Sequence, residues 1–159
     1  MAVIYVETTV WSFAFADDSP DYTADTLRFF DRCRSGEYET RISGVVVEEI
    51  ARAPANRRVA MEALIAEIGS SIIPASPEAD ELAAAFVRLG AVPPSKPSDA
   101  AHVATAFVGQ CDVLVSWNFR HIANVRRTEK FNAIAVLWGY TNGMTIVSPA
   151  EVQYGNDQA

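Results

Sequence analysis

Residues 3 to 7, VIYVE, form an unbroken run of β-branched, aliphatic and aromatic side chains that ends in a carboxylate. A strand with no polar alternation has no face to give to water, so it belongs in the middle of a parallel sheet covered on both sides. Parallel neighbours must be joined by crossovers of about a dozen residues or more, usually helices. The chain is therefore expected to alternate strand and helix from end to end.

It does so in pattern. SPDYTADTLRFFDRCRSG (19 to 36) places Leu27 and Phe30 at helical spacing and stops at Gly36, and YETRIS (38 to 43) supplies a second strand. GVVVEEIARA, from Gly44, is a short helix broken by Pro54; Met61, Leu64, Ile65 and Ile68 then repeat at i, i+3, i+4, i+7 up to Gly69. SSIIP is a third short strand, and SPEADELAAAFVRLG (76 to 90) a helix with Leu82, Phe86 and Leu89 on one stripe. After the Pro-rich AVPPSKPSD comes DAAHVATAFVG, a helix of small residues able to lie close to a sheet. DVLVSW and AIAVLW are read as two further strands. The expected fold class is α/β: one domain, residues 1–148, with a central, mostly parallel sheet flanked by helices on both faces, and a partly frayed tail, 149–159. A chain of 159 residues, half of them hydrophobic, suffices for one core and not for two.

Charge narrows the function classes. Twenty acidic against thirteen basic residues give a net charge of −7, which excludes a global basic field for indiscriminate nucleic-acid binding; a polyanion must be held locally. Cys33 and Cys111 fit no zinc spacing and sit in apolar sequence as buried thiols would. No leader pattern and no run of about 18 apolar residues is found, so the expectation is a cytoplasmic protein without a membrane segment.

In sheets of this kind the site lies outside the carboxyl ends of the strands. That edge receives Glu7 after VIYV and Asn118 after DVLVSW, whereas Asp112 begins its strand and belongs to the opposite edge. Asp99 opens a helix after a loop that can return to the same edge. Of Glu48 and Glu49, in an otherwise apolar helix, at least one must face the core or a cleft, and Glu48 is the better candidate for solvent.

YVETTVWSF, ISGVVVEEIAR, PSDAAHVATA and LVSWNFRHIAN, taken in that order, resemble the four motif regions of the PIN-domain family, metal-dependent ribonucleases that include many toxins of bacterial toxin–antitoxin pairs, the VapC-like branch. The resemblance spans residues 1 to about 148. It implies a single-domain PIN-like fold and a site of Glu7, Glu49, Asp99 and Asn118 holding Mg²⁺ or Mn²⁺; because Asn118 adds no charge, one ion is expected rather than two. It also implies an RNA substrate, an antitoxin protein as partner and a homodimer. Two positions depart from the family: the first acid, usually Asp, is Glu7, and the last is the amide Asn118.

The chemistry asks for such a set independently. Phosphodiester hydrolysis needs a hard cation to polarise phosphoryl oxygens and activate water, and Mg²⁺ and Mn²⁺ prefer carboxylate oxygens. Converging carboxylates repel one another unless a cation neutralises them. Arg120, His121 and Arg126 follow Asn118, where phosphates flanking the scissile bond would lie, although Arg126, Arg127 and Lys130 also suit a solvated helix face. Trp117 reads as core. His102, three residues after Asp99, either hydrogen-bonds a metal ligand from the second coordination shell or packs as a satisfied buried histidine. The function expected is an endoribonuclease cutting single-stranded or loop RNA. The competing class is a weakly active or inactive RNA-binding or protein-interaction module on the same scaffold. A haloacid-dehalogenase-like phosphatase would need an Asp nucleophile and a second Asp two residues on, where VETTV offers Glu and Thr.

Overall fold

The structure, a computed structural model, describes the backbone of residues 1–156 and the side chains of residues 1–152. Strands β1 (Ala2–Val6), β2 (Tyr38–Ser43), β3 (Ser71–Ile73), β4 (Val113–Val115) and β5 (Thr145–Val147) make one all-parallel sheet in the order β3-β2-β1-β4-β5. The apolar run that demanded a central position has it. Ile4 pairs with Thr40 on one side and Val113 on the other, and Ile4, Tyr5 and Val6 are wholly buried.

Among the described residues seven helices connect the strands, α1 (Thr8–Phe13), α2 (Pro20–Arg34), α3 (Gly44–Ala51), α4 (Ala55–Ile68), α5 (Pro77–Arg88), α6 (Pro97–Val108) and α7 (Val125–Leu137), and an eighth, α8 (Pro149–Asn156), follows β5. The chain steps outward from β1 to β3, then returns across the sheet to β4 and β5, so right-handed crossovers put the helices before and after that return on opposite faces. α1 packs with α2 and α4; α5 packs with α6 and α7; α8 lies against α2. α4 ends as its sequence predicts, with Gly69 left-handed at φ 79° and its N–H bonded to Ile65 O. On α6, Ala100, Ala104 and Ala106 are wholly buried, the close approach that small side chains permit. Cys33 and Cys111 are free and buried, and burial pushes both thiols up to about 12. No described helix is long and apolar enough to cross a membrane.

One expected strand is not a strand. AIAVLW lies at the end of α7, whose core face is Phe131, Ile134 and Ala135, with Trp138 capping it, while Val136 and Leu137 are 50% and 73% exposed. A six-residue apolar run cannot be told from a helix end by composition, and here the i, i+3, i+4 spacing from Phe131 prevails. The fifth strand is the shorter Thr145–Val147. Two stripe residues also differ: Leu27 is 43% exposed, its helix burying Thr26, Phe29, Phe30 and Cys33 instead, and Leu89 caps α5 facing solvent. At the C-terminus, Ala150 and Val152 of α8 pack against the core. The fraying expected beyond them concerns side chains from 153 and the backbone of 157–159, outside the described residues.

The helical register of α7 is testable. Ile134→Ala should cost about 2–5 kcal/mol in urea unfolding, whereas Val136→Ala, on the solvent side, should stay within about 0.5 kcal/mol. A strand would put both on one face and make the two costs alike.

Candidate functional site

The sheet order reverses about β1, whose neighbours β2 and β4 run on to opposite sides, and the carboxyl ends of these three strands form the crevice in which α/β proteins place their sites. Glu7 follows β1 directly, its N–H continuing the ladder to Val115 O at 3.1 Å and its side chain capping α1. Although only 3% exposed, its carboxylate is firmly held: Oε1 accepts from Thr9 N (3.1 Å), Thr9 Oγ1 and Ser116 Oγ (2.7 Å). These contacts tie two loops together. Thr9 Oγ1 also accepts Trp117 N at 2.9 Å, and Ser116 Oγ accepts Asn118 N at 2.9 Å. Oε2 of Glu7 lies 3.8 Å from His102 Nε2.

Glu49 reaches the same point from α3, which begins where β2 ends. Its neighbour Glu48 faces solvent, as the sequence leads one to expect. Oε1 of Glu49 accepts Thr8 Oγ1 at 2.8 Å and lies 2.5 Å from His102 Nε2. The imidazole is wholly buried on α6, and its other nitrogen, Nδ1, shares a 2.7 Å hydrogen bond with the Tyr5 hydroxyl, which in turn contacts Ser43 Oγ at 2.7 Å. Single ligand atoms from Glu7, Glu49 and His102 lie within 4.8 Å of one another, a grouping that could hold a metal ion.

The electrostatics are those of a compensated cluster. Burial pushes the His102 pKa down, but the hydrogen bond to Glu49 and the charges of Glu7, Glu49 and Asp99 outweigh it and hold the imidazole above its ordinary value. Burial pushes Glu49 up, and the hydrogen bond and charge of His102, helped by Thr8 and Arg52, bring it net below the usual carboxylate range. Burial, above all, raises the Tyr5 phenol, so it stays protonated and can donate.

The other sequence-predicted residues fall outside this grouping. Asp99, nearly buried in the first turn of α6, has Oδ2 3.3 Å from His121 Nδ1 and is not one of the three groups within 4.8 Å. Oδ1 of Asn118 accepts His121 N at 2.9 Å, a turn role, and leaves a lone pair for another donor or a cation. Arg120 and Arg126 are exposed; Arg127 donates to Ala91 O at 2.7 Å and Lys130 to Gly90 O at 3.3 Å, fastening α7 to the end of α5. Trp117 is buried, donating to Thr26 Oγ1 at 2.8 Å, with its ring against Tyr22. Asp112 sits on the opposite edge and accepts Val3 N at 2.8 Å. Sequence reasoning passed over Tyr5, Ser43, Thr8, Thr9 and Ser116. Tyr5 carried a signal, since a phenol inside a strand buried on both faces must find a partner for its hydroxyl.

The chain matches no protein-family model, and a search of curated proteins finds no match.

Tyr5→Phe keeps the ring and removes the hydroxyl shared by Ser43 and His102. It should cost about 1–3 kcal/mol in chemical unfolding, the penalty for leaving buried polar groups without a partner. A cost near zero would mean that this hydroxyl does not hold the imidazole.

Proposed function

We propose that the protein is a metal-dependent endoribonuclease of the PIN-like kind, hydrolysing phosphodiester bonds of single-stranded or loop RNA. What supports this reading is the convergence of Glu7 and Glu49 at the carboxyl edge of the sheet, with Glu7 Oε1 held by Thr9 and Ser116 and Oε2 turned toward the cluster. Carboxylates that converge repel one another unless a cation or a proton meets them. Two carboxylates with His102, Asp99 and the Asn118 carbonyl nearby suit a small divalent ion, Mg²⁺ or Mn²⁺. Such an ion, once bound, supplies Lewis acidity toward a phosphoryl oxygen and lowers the pKa of an attacking water.

The remaining work belongs to side chains. Thr9 and Ser116 hold Glu7 in place, and Thr8 holds Glu49, before substrate arrives. Arg120 and Arg126 stand exposed beyond Asn118, where a backbone phosphate on either side of the scissile one can be met. The open edge suits unpaired RNA better than a duplex. Action as the toxin of a toxin–antitoxin pair, an antitoxin partner, a homodimer and a cytoplasmic location extend the same proposal and rest on the motif resemblance.

Two observations favour the alternative, a catalytically weak RNA-binding or protein-interaction module. Asp99 faces His121 rather than the cluster, and Asn118 spends its carbonyl on a turn. Incubating the purified protein with an RNA pool, with Mn²⁺, Mg²⁺ or chelator, and mapping cut ends separates the two. A nuclease gives discrete ends that need the cation; a binding module gives none.

Within the nuclease reading, Glu7→Gln should reduce cleavage by about 10²-fold or more. Glu7→Asp should also impair it, because withdrawing the carboxylate by one methylene misplaces a ligand where small errors cost about 10²-fold. Full activity in Glu7→Gln would remove Glu7 from the site. Arg120→Ala should weaken RNA binding and reduce the salt slope by about 0.7 per single-strand phosphate that the guanidinium neutralises. An unchanged slope would return Arg120 to the solvated surface.

A further inference from the structure

We propose that His102 is itself a ligand of the cation, so that this chain offers two glutamates and one imidazole and selects first-row transition ions over Mg²⁺. The inference rests on the metal-site reading above and deepens it by naming the third donor atom and the class of ion.

Four features of the cluster carry it. The His102 Nε2 atom points at both carboxylates, 2.5 Å from Glu49 Oε1 and 3.8 Å from Glu7 Oε2. A cation bonding its donors at about 2.1 Å holds them about 3–4 Å apart, so the His102–Glu7 spacing already fits and the Glu49 contact must open. Next, Nδ1 is already engaged by Tyr5, as metal-bound imidazoles require of their distal nitrogen. In the ligating form Nδ1–H donates to the Tyr5 hydroxyl, which donates to Ser43 Oγ, and any proton on Nε2 leaves to water. Hydroxyl rotors accept either direction, so the relay serves both the free and the ligating ring.

Third, Asp99, the acid that would otherwise complete the donor set, stands outside the group and faces His121. The imidazole occupies the third place. Fourth, the extra methylene of Glu7 over aspartate lets a carboxylate anchored at the strand end extend toward the α6 imidazole. The departure at position 7 and the donor nitrogen at position 102 then form one adjustment of the site. Imidazole nitrogen raises affinity along the series Mn²⁺, Fe²⁺, Co²⁺, whereas Mg²⁺ prefers oxygen donors alone.

The chain has two histidines, which makes the test direct. Untagged His121→Gln protein, stripped with chelator and loaded with Mn²⁺, contains His102 as its sole imidazole. Pulsed electron paramagnetic resonance should show the strong ¹⁴N modulation of a directly bound imidazole. In parallel titrations His102→Gln should lose about 10–100-fold in Mn²⁺ affinity while Mg²⁺ affinity changes much less. Should that buried substitution prevent folding, the His121→Gln measurement still decides. Bound Mn²⁺ without ¹⁴N modulation would overturn the proposal and leave a carboxylate site standing. No Mn²⁺ binding by the parent chain would overturn both readings.

Discussion

Two carboxylates that meet at a largely buried point repel by roughly 4 kcal/mol at 4 Å with a protein-like effective dielectric, and a fold that brings them together must supply a group that meets both. In this chain the partner is His102. Its position depends in turn on Tyr5, because the imidazole is wholly buried and its second nitrogen needs a hydrogen bond inside the protein. Tyr5 can reach it only from the central strand, with α6 packed close enough for contact. The small residues of α6 and the unbroken apolar run of β1 thus serve the same end. They let a helix from one crossover and a strand from the middle of the sheet share a polar network without water.

The two loops at the carboxyl edge are coupled through Glu7. Its Oε1 takes hydrogen bonds from Thr9 in the turn after β1 and from Ser116 after β4, and those hydroxyls accept the backbone amides of Trp117 and Asn118. One oxygen is therefore structural and the other open. Such a division allows a carboxylate to hold loop geometry and still offer a ligand atom, because the cap and the open oxygen belong to one side chain.

Much of this is legible in the amino-acid order alone. VIYVE, YETRIS and the helix that follows at Gly44 carry their own signals, and a carboxylate directly after a buried strand can only be at the carboxyl edge. That one of Glu48 and Glu49 turns inward follows from their short apolar helix, whereas the choice of Glu49 comes from the aliphatic residue after it and from the motif resemblance; Glu48 is the exposed one. What cannot be read are contacts between residues far apart in the chain. Tyr5 meets Ser43 and His102 across 38 and 97 residues, and Ser116 meets Glu7 across 109. No local pattern encodes such pairs. The pairing of Asp99 with His121 is hidden for the same reason, and AIAVLW resembles a strand because its helical period becomes visible only when counted from Phe131.

The central claim is that Glu7, Glu49 and His102 enclose a cation. Crystals grown with Mn²⁺ and measured at the manganese absorption edge test it most directly. An anomalous difference peak between the three side chains, with the His102–Glu49 contact opened, is the predicted result. A fully ordered cluster without a peak, or a peak at another place on the protein, would contradict the account.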